Sequence, residues 1–416
     1  MFQFKVPDKI YMGDNIVASS ENVFNLYGKH ALIVTGPNIA RSTMIASLER
    51  TLDNDRVKYT VLTNIEGEPT VSMIEHGVEV YRENGCDFII GLGGGSPLDA
   101  AKAIGAMTVL EGSIADYHVV RIDDSELPPI VCIPTTAGSG SEVTKYTIIT
   151  NEKTGAKMLL TGDSLLPKMA MLDYTFSNGC PKIVTVSAGL DALTHAIEAF
   201  ISVNAQPLSD ALALSAIKRI MRYLPQAYRD GSNFNARREM SIAALQAGIC
   251  INNSSVTLIH GMSRPIGARF HVPHGMANAM LLNVCLSDME MAARHNLARI
   301  ATYLRIQAVD EIDASEKFVE EVEKLVERLE VPTMSQYGID CDEYMAAVDD
   351  MSFEAIMSGS PSHAPREYTA DDICDCREDF VSLYPFRRVV SDAGFFRRGK
   401  LACGDDHKSF DDTVDP

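Results

Sequence analysis

A chain of 416 residues is too long for one ordinary domain, and 46 % hydrophobic with 22 % charged residues is a globular composition that can bury a sizeable core. The formal charge of −19 repels nucleic acid and anionic lipid, which sets aside polyanion binding and a membrane-surface role. No signal-peptide pattern opens the chain, no apolar run is expected to span a bilayer, and the nine cysteines form no CxxC pair, so reduced thiols in a cytoplasmic protein are the expectation.

Residues 31–36, Ala-Leu-Ile-Val-Thr-Gly, are a short apolar run ending in Gly-Pro-Asn, which predicts a buried parallel strand and a turn. Helical spacing follows near 38–53, a strand around 59–62, a helix over 71–84 and another buried strand from Asp87. This alternation implies a doubly wound parallel sheet. The strand runs into Gly93-Gly94-Gly95-Ser96-Pro97-Leu-Asp99 and then a helix, with Ser96 as expected N-cap, Pro97 at N1 and Asp99 at N3. Three glycines at a strand-to-helix junction suit close approach to a phosphate, although a tight turn alone would also use them. The run is not the G-x-G-x-x-G pattern, because Ser96 stands at its last glycine.

A further strand over 127–134 leads to Thr135-Thr136-Ala-Gly138-Ser139-Gly140-Ser141-Glu142-Val-Thr144, a hydroxyl-rich loop that fits a pyrophosphate or ribose, or is a plain polar turn. Residues 145–173 predict a hairpin and a last strand ending at Asp173. After Pro181 helical spacing takes over at 187–203, 207–229 and 236–252, so a domain boundary is expected near 180–187. In the first of these helices Asp191 and His195 are four apart and share a face, and Glu198 continues the line. A divalent metal is a natural common partner; an acid near a helix N-terminus with a core histidine is the plainer alternative. The stretch from His260 to His274 carries Arg264, Pro265, His271 and Pro273, and both prolines are expected to break helices and bring His260 and His274 together. With Asp191 and His195 these two complete a four-ligand Asp/His₃ set, whose N/O donors suit catalytic Fe(II) or Zn(II). Residues 290–350 read as helices with charged outer faces, and a last short helix is expected near 369–382.

Four motifs, GGGSPLDAAKAI, PTTAGSGSEVT, AGLDALTHAIEAFIS and HGMSRPIGARFHVPHGMANAML, resemble the iron-containing (group III) alcohol dehydrogenases, a family related to glycerol dehydrogenase and dehydroquinate synthase, over roughly residues 5–382. The resemblance implies a dehydroquinate synthase-like fold: an α/β dinucleotide-binding domain over residues 1–184 and an all-α metal-binding domain over 185–382, followed by an irregular acidic tail over 383–416. It implies metal ligation by Asp191, His195, His260 and His274, pyrophosphate contacts from Gly94, Gly95 and Ser96 with Asp99 nearby, and a second cofactor loop at Thr135, Thr136, Ser139 and Thr144. It also implies Fe(II) with Zn(II) as the other metal, NAD or NADP, a small alcohol or aldehyde substrate, and a homodimer or larger assembly.

Two departures stand out. Many members carry histidine where Arg264 stands, and a guanidinium cannot shuttle protons; His271 is the substitute, while Arg264 suits an anionic substrate group. NAD-preferring members often carry aspartate where Gly36 stands, so a 2′-phosphate is not repelled here and NADP(H) becomes acceptable. The activity implied is hydride transfer between NAD(P)(H) and a small alcohol, diol or hydroxy acid and its carbonyl. A lyase of the dehydroquinate synthase type, a glycerol dehydrogenase-like polyol oxidoreductase, and a catalytically idle protein keeping the fold are the alternatives.

Overall fold

The computed structural model describes residues 3–118 and 120–383. The expected tail after residue 383 therefore lies outside the described residues. The N-terminal part holds strands β1 (Lys9–Gly13), β2 (His30–Val34), β3 (Lys58–Leu62), β4 (Phe88–Gly93), β5 (Ile130–Pro134), β6 (Tyr146–Asn151), β7 (Ala156–Thr161) and β8 (Met169–Asp173). Between them run α1 (Ile16–Ser19), α2 (Thr43–Asn54), α3 (Val71–Glu83) and α4 (Gly95–Met107). Six strands form one sheet in the order β1-β8-β5-β4-β2-β3, every neighbouring pair parallel. β6 and β7 form a separate antiparallel hairpin.

The central strands explain themselves. β4 and β5 are apolar throughout and fully buried, as a sheet covered on both faces requires. β1 escaped the sequence reading because it lies at the sheet edge: its KIYMG sequence is half exposed and has no apolar run. The strand order reverses between β2 and β4. In open parallel sheets that switch point opens a crevice beyond the carboxyl ends of the strands, and here it is flanked by Gly36 after β2 and Gly94 after β4.

From Lys182 the chain is helical: α5 (Lys182–Ile201), α6 (Pro207–Arg229), α7 (Phe234–Ser254), α8 (Leu258–Phe270), α9 (His274–Leu304), α10 (Glu311–Arg328), α11 (Met334–Tyr337), α12 (Cys341–Ala346), α13 (Val348–Met357) and α14 (Ala370–Leu383). α5 begins five residues earlier than its sequence suggested and is the axis of this part, packed against α6, α7 and α9. Contrary to expectation it is long and apolar enough to cross a bilayer, yet 78 % of its apolar stretch is buried inside the protein. α10 has the expected charged outer face over a buried seam of Phe318, Val322, Leu325 and Val326. Pro265 does not break α8, because it sits inside the helix, buried.

The two parts meet where the loop after β5 lies on α7. Gly140 has φ +63°, and a Cβ there would stand 2.4 Å from the Gly248 Cα; a Cβ on Gly248 would stand 2.7 Å from Gly140. Backbone thus touches backbone, and only glycine fits either side.

Lys102 of α4 pins the same loop from beneath. It is fully buried, and its Nζ donates to Ser141 Oγ at 2.7 Å, Thr144 Oγ1 at 3.2 Å and the Tyr146 carbonyl at 2.8 Å. Asp99, 3.8 Å away, is the counter-charge, itself held by Ser141 and the Ile148 N–H. Burial lowers the Lys102 pKa while Asp99 opposes that shift. Lys102→Met strands these acceptors and the Asp99 charge, and should cost about 3 kcal/mol in a urea-unfolding titration; an unchanged midpoint would contradict the pinning role.

Candidate metal centre and cofactor cleft

Asp191 and His195 project from one face of α5, one turn apart. His260 is the third residue of α8, delivered by a sharp break after α7 in which Ser255 has φ +71°. His274 opens α9 directly after Pro273, and His271 at φ +55° turns the chain between the two helices. Three helices thus bring four side chains to one point. Their candidate ligand atoms all lie within 4.8 Å of one another.

Asp191 Oδ1 stands 3.8 Å from His195 Nε2, 3.7 Å from His260 Nε2 and 3.8 Å from His274 Nε2. These separations are too long for hydrogen bonds. They approach the edge of a tetrahedron with metal–ligand bonds of 2.0–2.1 Å, about 3.4 Å. The donor set, one carboxylate and three imidazoles with no thiolate, fits Fe(II) or Zn(II). Asn278 Nδ2 donates toward the same group, to Asp191 Oδ1 at 2.7 Å, with His260 and His274 Nε2 at 3.1 and 3.3 Å. The adjacent carboxylate assigns the amide orientation, since the reverse would set oxygen against oxygen.

Burial keeps the His260 and His274 rings neutral. Burial holds the His260 pKa well below its ordinary value, and burial pushes His274 down to about 3 against the pull of Asp191. Burial would raise the Asp191 pKa, but the three imidazoles and Asn278 outweigh it and the carboxyl ends below its usual value.

Glu198, seen in the sequence only as a continuation of a helix face, does more than that. Its Oε2 lies 2.5 Å from His260 Nδ1, and its Oε1 accepts from Thr257 Oγ1 at 2.8 Å and the Ile259 N–H at 2.7 Å. One fully buried carboxylate thereby caps the start of α8 and fixes the ring of His260, leaving Nε2 aimed at the other ligands. Burial raises its pKa, with the Thr257 and Ile259 donors opposing.

A cavity of about 610 Å³ runs from these residues to the loop after β5, reaching Asp99, Ser139 and Thr144 at one end and Tyr146, Arg264 and Ser360 at another. The two glycine- and hydroxyl-rich segments pack together: the Thr135 N–H donates to the Gly93 carbonyl at 2.8 Å, Gly94 lies against Thr136, and Gly95 against Ser139. Thr135 itself is buried at the head of the loop. α4 begins at Gly95 with Gly94 as N-cap, so Ser96 and Asp99 sit inside the helix rather than at the expected cap and N3 positions. Gly36 lies beyond β2, outside the cavity lining, and a Cβ there would stand 2.8 Å from the Ile65 carbonyl. Gly94, Gly95, Ser96, Thr135 and Thr136 are also absent from the lining, and His271 is exposed at the end of α8, away from the cavity. It is poorly placed to replace a proton relay at Arg264.

Family models described as iron-containing alcohol dehydrogenase and as the C-terminal part of that family match residues 7–174 and 185–379. The chain belongs to the iron-containing alcohol dehydrogenase family. A 1,3-propanediol dehydrogenase of Citrobacter freundii is 34 % identical, over 90 % of this chain and 97 % of that one. A crystal structure of 1,3-propanediol oxidoreductase superposes with a TM-score of 0.87 at 32 % identity, covering 91 % of this chain and all of the other. A sulfoacetaldehyde reductase of Bifidobacterium kashiwanohense in complex with NAD+ matches with a TM-score of 0.80 at 26 % identity, covering 92 % of this chain and 99 % of that one. This chain is accordingly an alcohol dehydrogenase, and its cofactors are those of the iron-containing alcohol dehydrogenases, Fe(II) and NAD(P).

Two outcomes follow from the centre. Glu198→Ala releases the His260 ring and should weaken metal affinity about 10- to 100-fold in competition with a chelator; unchanged affinity would remove Glu198 from the centre. His274 has a folded pKa of about 3 against 6.5, so the unfolded chain binds the extra proton. Stability from this group is present above about pH 6.5 and is lost as pH falls toward 3. The thermal midpoint of metal-free protein should therefore drop between pH 7 and pH 5, and His274→Gln should flatten that slope.

Proposed function

We propose that Asp191, His195, His260 and His274 hold the metal, and that the cavity beside them takes a small alcohol or aldehyde together with the cofactor. The observation that carries this reading is the single Asp191 oxygen standing at nearly equal distance from three imidazole nitrogens in a cavity also lined by Ser139 and Thr144. A bound Fe(II) supplies Lewis acidity to the substrate oxygen, and the nicotinamide supplies or accepts the hydride.

The protein's own residues hold and exclude. Glu198 keeps the His260 ring turned toward the centre, and Asn278 keeps Asp191 oriented. Gly94, Gly95 and Ser96, at the start of α4, offer N–H groups to the cofactor pyrophosphate, and the loop of Thr135, Thr136, Ser139 and Thr144 packs against them, with Ser139 and Thr144 on the cavity wall. Asp99 contributes by holding Ser141 and the β6 backbone rather than by capping. Asp191, His195 and His260 are buried while His274 stays partly exposed at the cavity, so bulk water is kept from three of the four side chains, which strengthens the charge interactions among them.

NADP(H) use belongs to this reading. The Ile65 carbonyl closes the space that a side chain at Gly36 would need, so no carboxylate stands there to repel a 2′-phosphate. A division into residues 1–184 and 185–382 is supported by the change from sheet to helix near Lys182. A homo-oligomer and a cytoplasmic setting complete the proposal, carried by the family resemblance.

The test is to purify the protein with Fe(II) under anaerobic conditions and follow NADPH and NADH oxidation with short aldehydes. Turnover with NADPH favoured is expected. His260→Ala should lose metal, and with it activity by about 100-fold or more. Full metal and full activity in that variant would sink the site assignment.

A further inference from the structure

Three permanent cations line the cavity: Arg121, Lys145 and Arg264. Two of them face carboxylates. Arg121 pairs with Asp123 at 2.8 Å and approaches Asp163, which also lies 3.9 Å from Lys145. Arg264 differs. Its Nη1 donates to Ser360 Oγ at 2.9 Å, and its Nε is buried without an acceptor among the described residues. The carboxylate whose charge acts on it is Glu198, whose two oxygens are already taken by Thr257, Ile259 and His260. Burial pushes the Arg264 pKa down to about 10, still far above neutrality, so the guanidinium stays charged.

A half-buried cation with a buried, unpartnered Nε and no carboxylate beside it is unfavourable, and persists where a ligand completes it. Position says which ligand. Arg264 is four residues after His260 on α8, so the two lie on one helix face with Cβ atoms about 6 Å apart. Ser360 steadies Nη1 while the residue lines the cavity, and the planar guanidinium is the shape that binds a carboxylate.

We propose that Arg264, steadied by Ser360, is the recognition site for an anionic group on the substrate, and that the enzyme acts on short-chain oxoacids and hydroxyacids whose carbonyl or alcohol end faces Asp191, His195, His260 and His274. This inference rests on the dehydrogenase reading above. The known reaction is unchanged; what is added is the charge of the substrate's far end.

The probes are matched in length: 4-oxobutanoate against butanal for turnover, and 4-hydroxybutanoate against 1-butanol for calorimetric binding to the Fe(II)-loaded enzyme. The acid should be favoured by at least about tenfold in both, the scale of one charge-assisted contact. Arg264→Met should abolish that preference mainly through KM for the acid, with metal content and the KM for NADPH intact, and Arg264→Lys should restore part of it. Equal use of butanal and 4-oxobutanoate by the wild type would leave the dehydrogenase reading standing and overturn this one. Arg264-dependent binding of 4-hydroxybutanoate without turnover of any aldehyde would do the reverse. A rise in the NADPH KM with the acid preference untouched would assign the guanidinium to a cofactor phosphate and overturn the proposal. If Arg264→Met does not fold, the wild-type preference and the lysine variant decide.

Discussion

One carboxylate and three imidazoles, all buried but for a partly exposed His274, are gathered where three helices converge, and a polypeptide alone gains little from such a cluster. Burial favours neutral rings, so His260 and His274 are held uncharged, and the Asp191 charge has one amide hydrogen bond from Asn278 and imidazole nitrogens no nearer than 3.7–3.8 Å. A divalent cation is the partner that makes the arrangement favourable, because it needs deprotonated ligands and rewards their convergence. Much of the helical part follows from that requirement. α5 is apolar around nearly its whole circumference so that Asp191, His195 and Glu198 can be presented inside the core. α7 and α8 must break sharply at residues 255–257 so that His260 enters from another side, and the freed start of α8 is satisfied by Glu198.

The architecture was largely legible in the sequence because its elements are buried and regular. β2, β4, β5 and β8 are short apolar runs between turn residues, and α6 matches its expected span of 207–229. What was not legible depended on tertiary context. β1 is an edge strand whose pairing with β8 cannot be seen in its own five residues. Pro265 was expected to stop a helix but lies within α8, where the packing tolerates it.

The candidate ligands could be found by spacing and motif, whereas their supports could not. Glu198 and Asn278 carry ordinary residue types for a helix face, and only the fold reveals that one grips His260 and the other Asp191. Lys102 reads locally as one charge on a helix, yet it is wholly buried beneath the loop after β5. His271 shows the opposite error. A histidine three residues before a ligand looks chemically useful, but its left-handed backbone conformation serves a turn and leaves the ring at the surface.

The contact of Gly140 with Gly248 has a mechanical meaning. Neither side carries a side chain, so the two backbones approach as closely as chains can and set the spacing between the loop and α7. Around this contact Val143, Ala170 and Leu172 pack with Leu245 and Ile249, and the Lys145 N–H donates to Asn252, so the loop is fixed in both distance and direction against α7. The cavity end formed by Ser139 and Thr144 is thereby placed relative to the ligands on α5, and a side chain on either glycine would wedge the two apart.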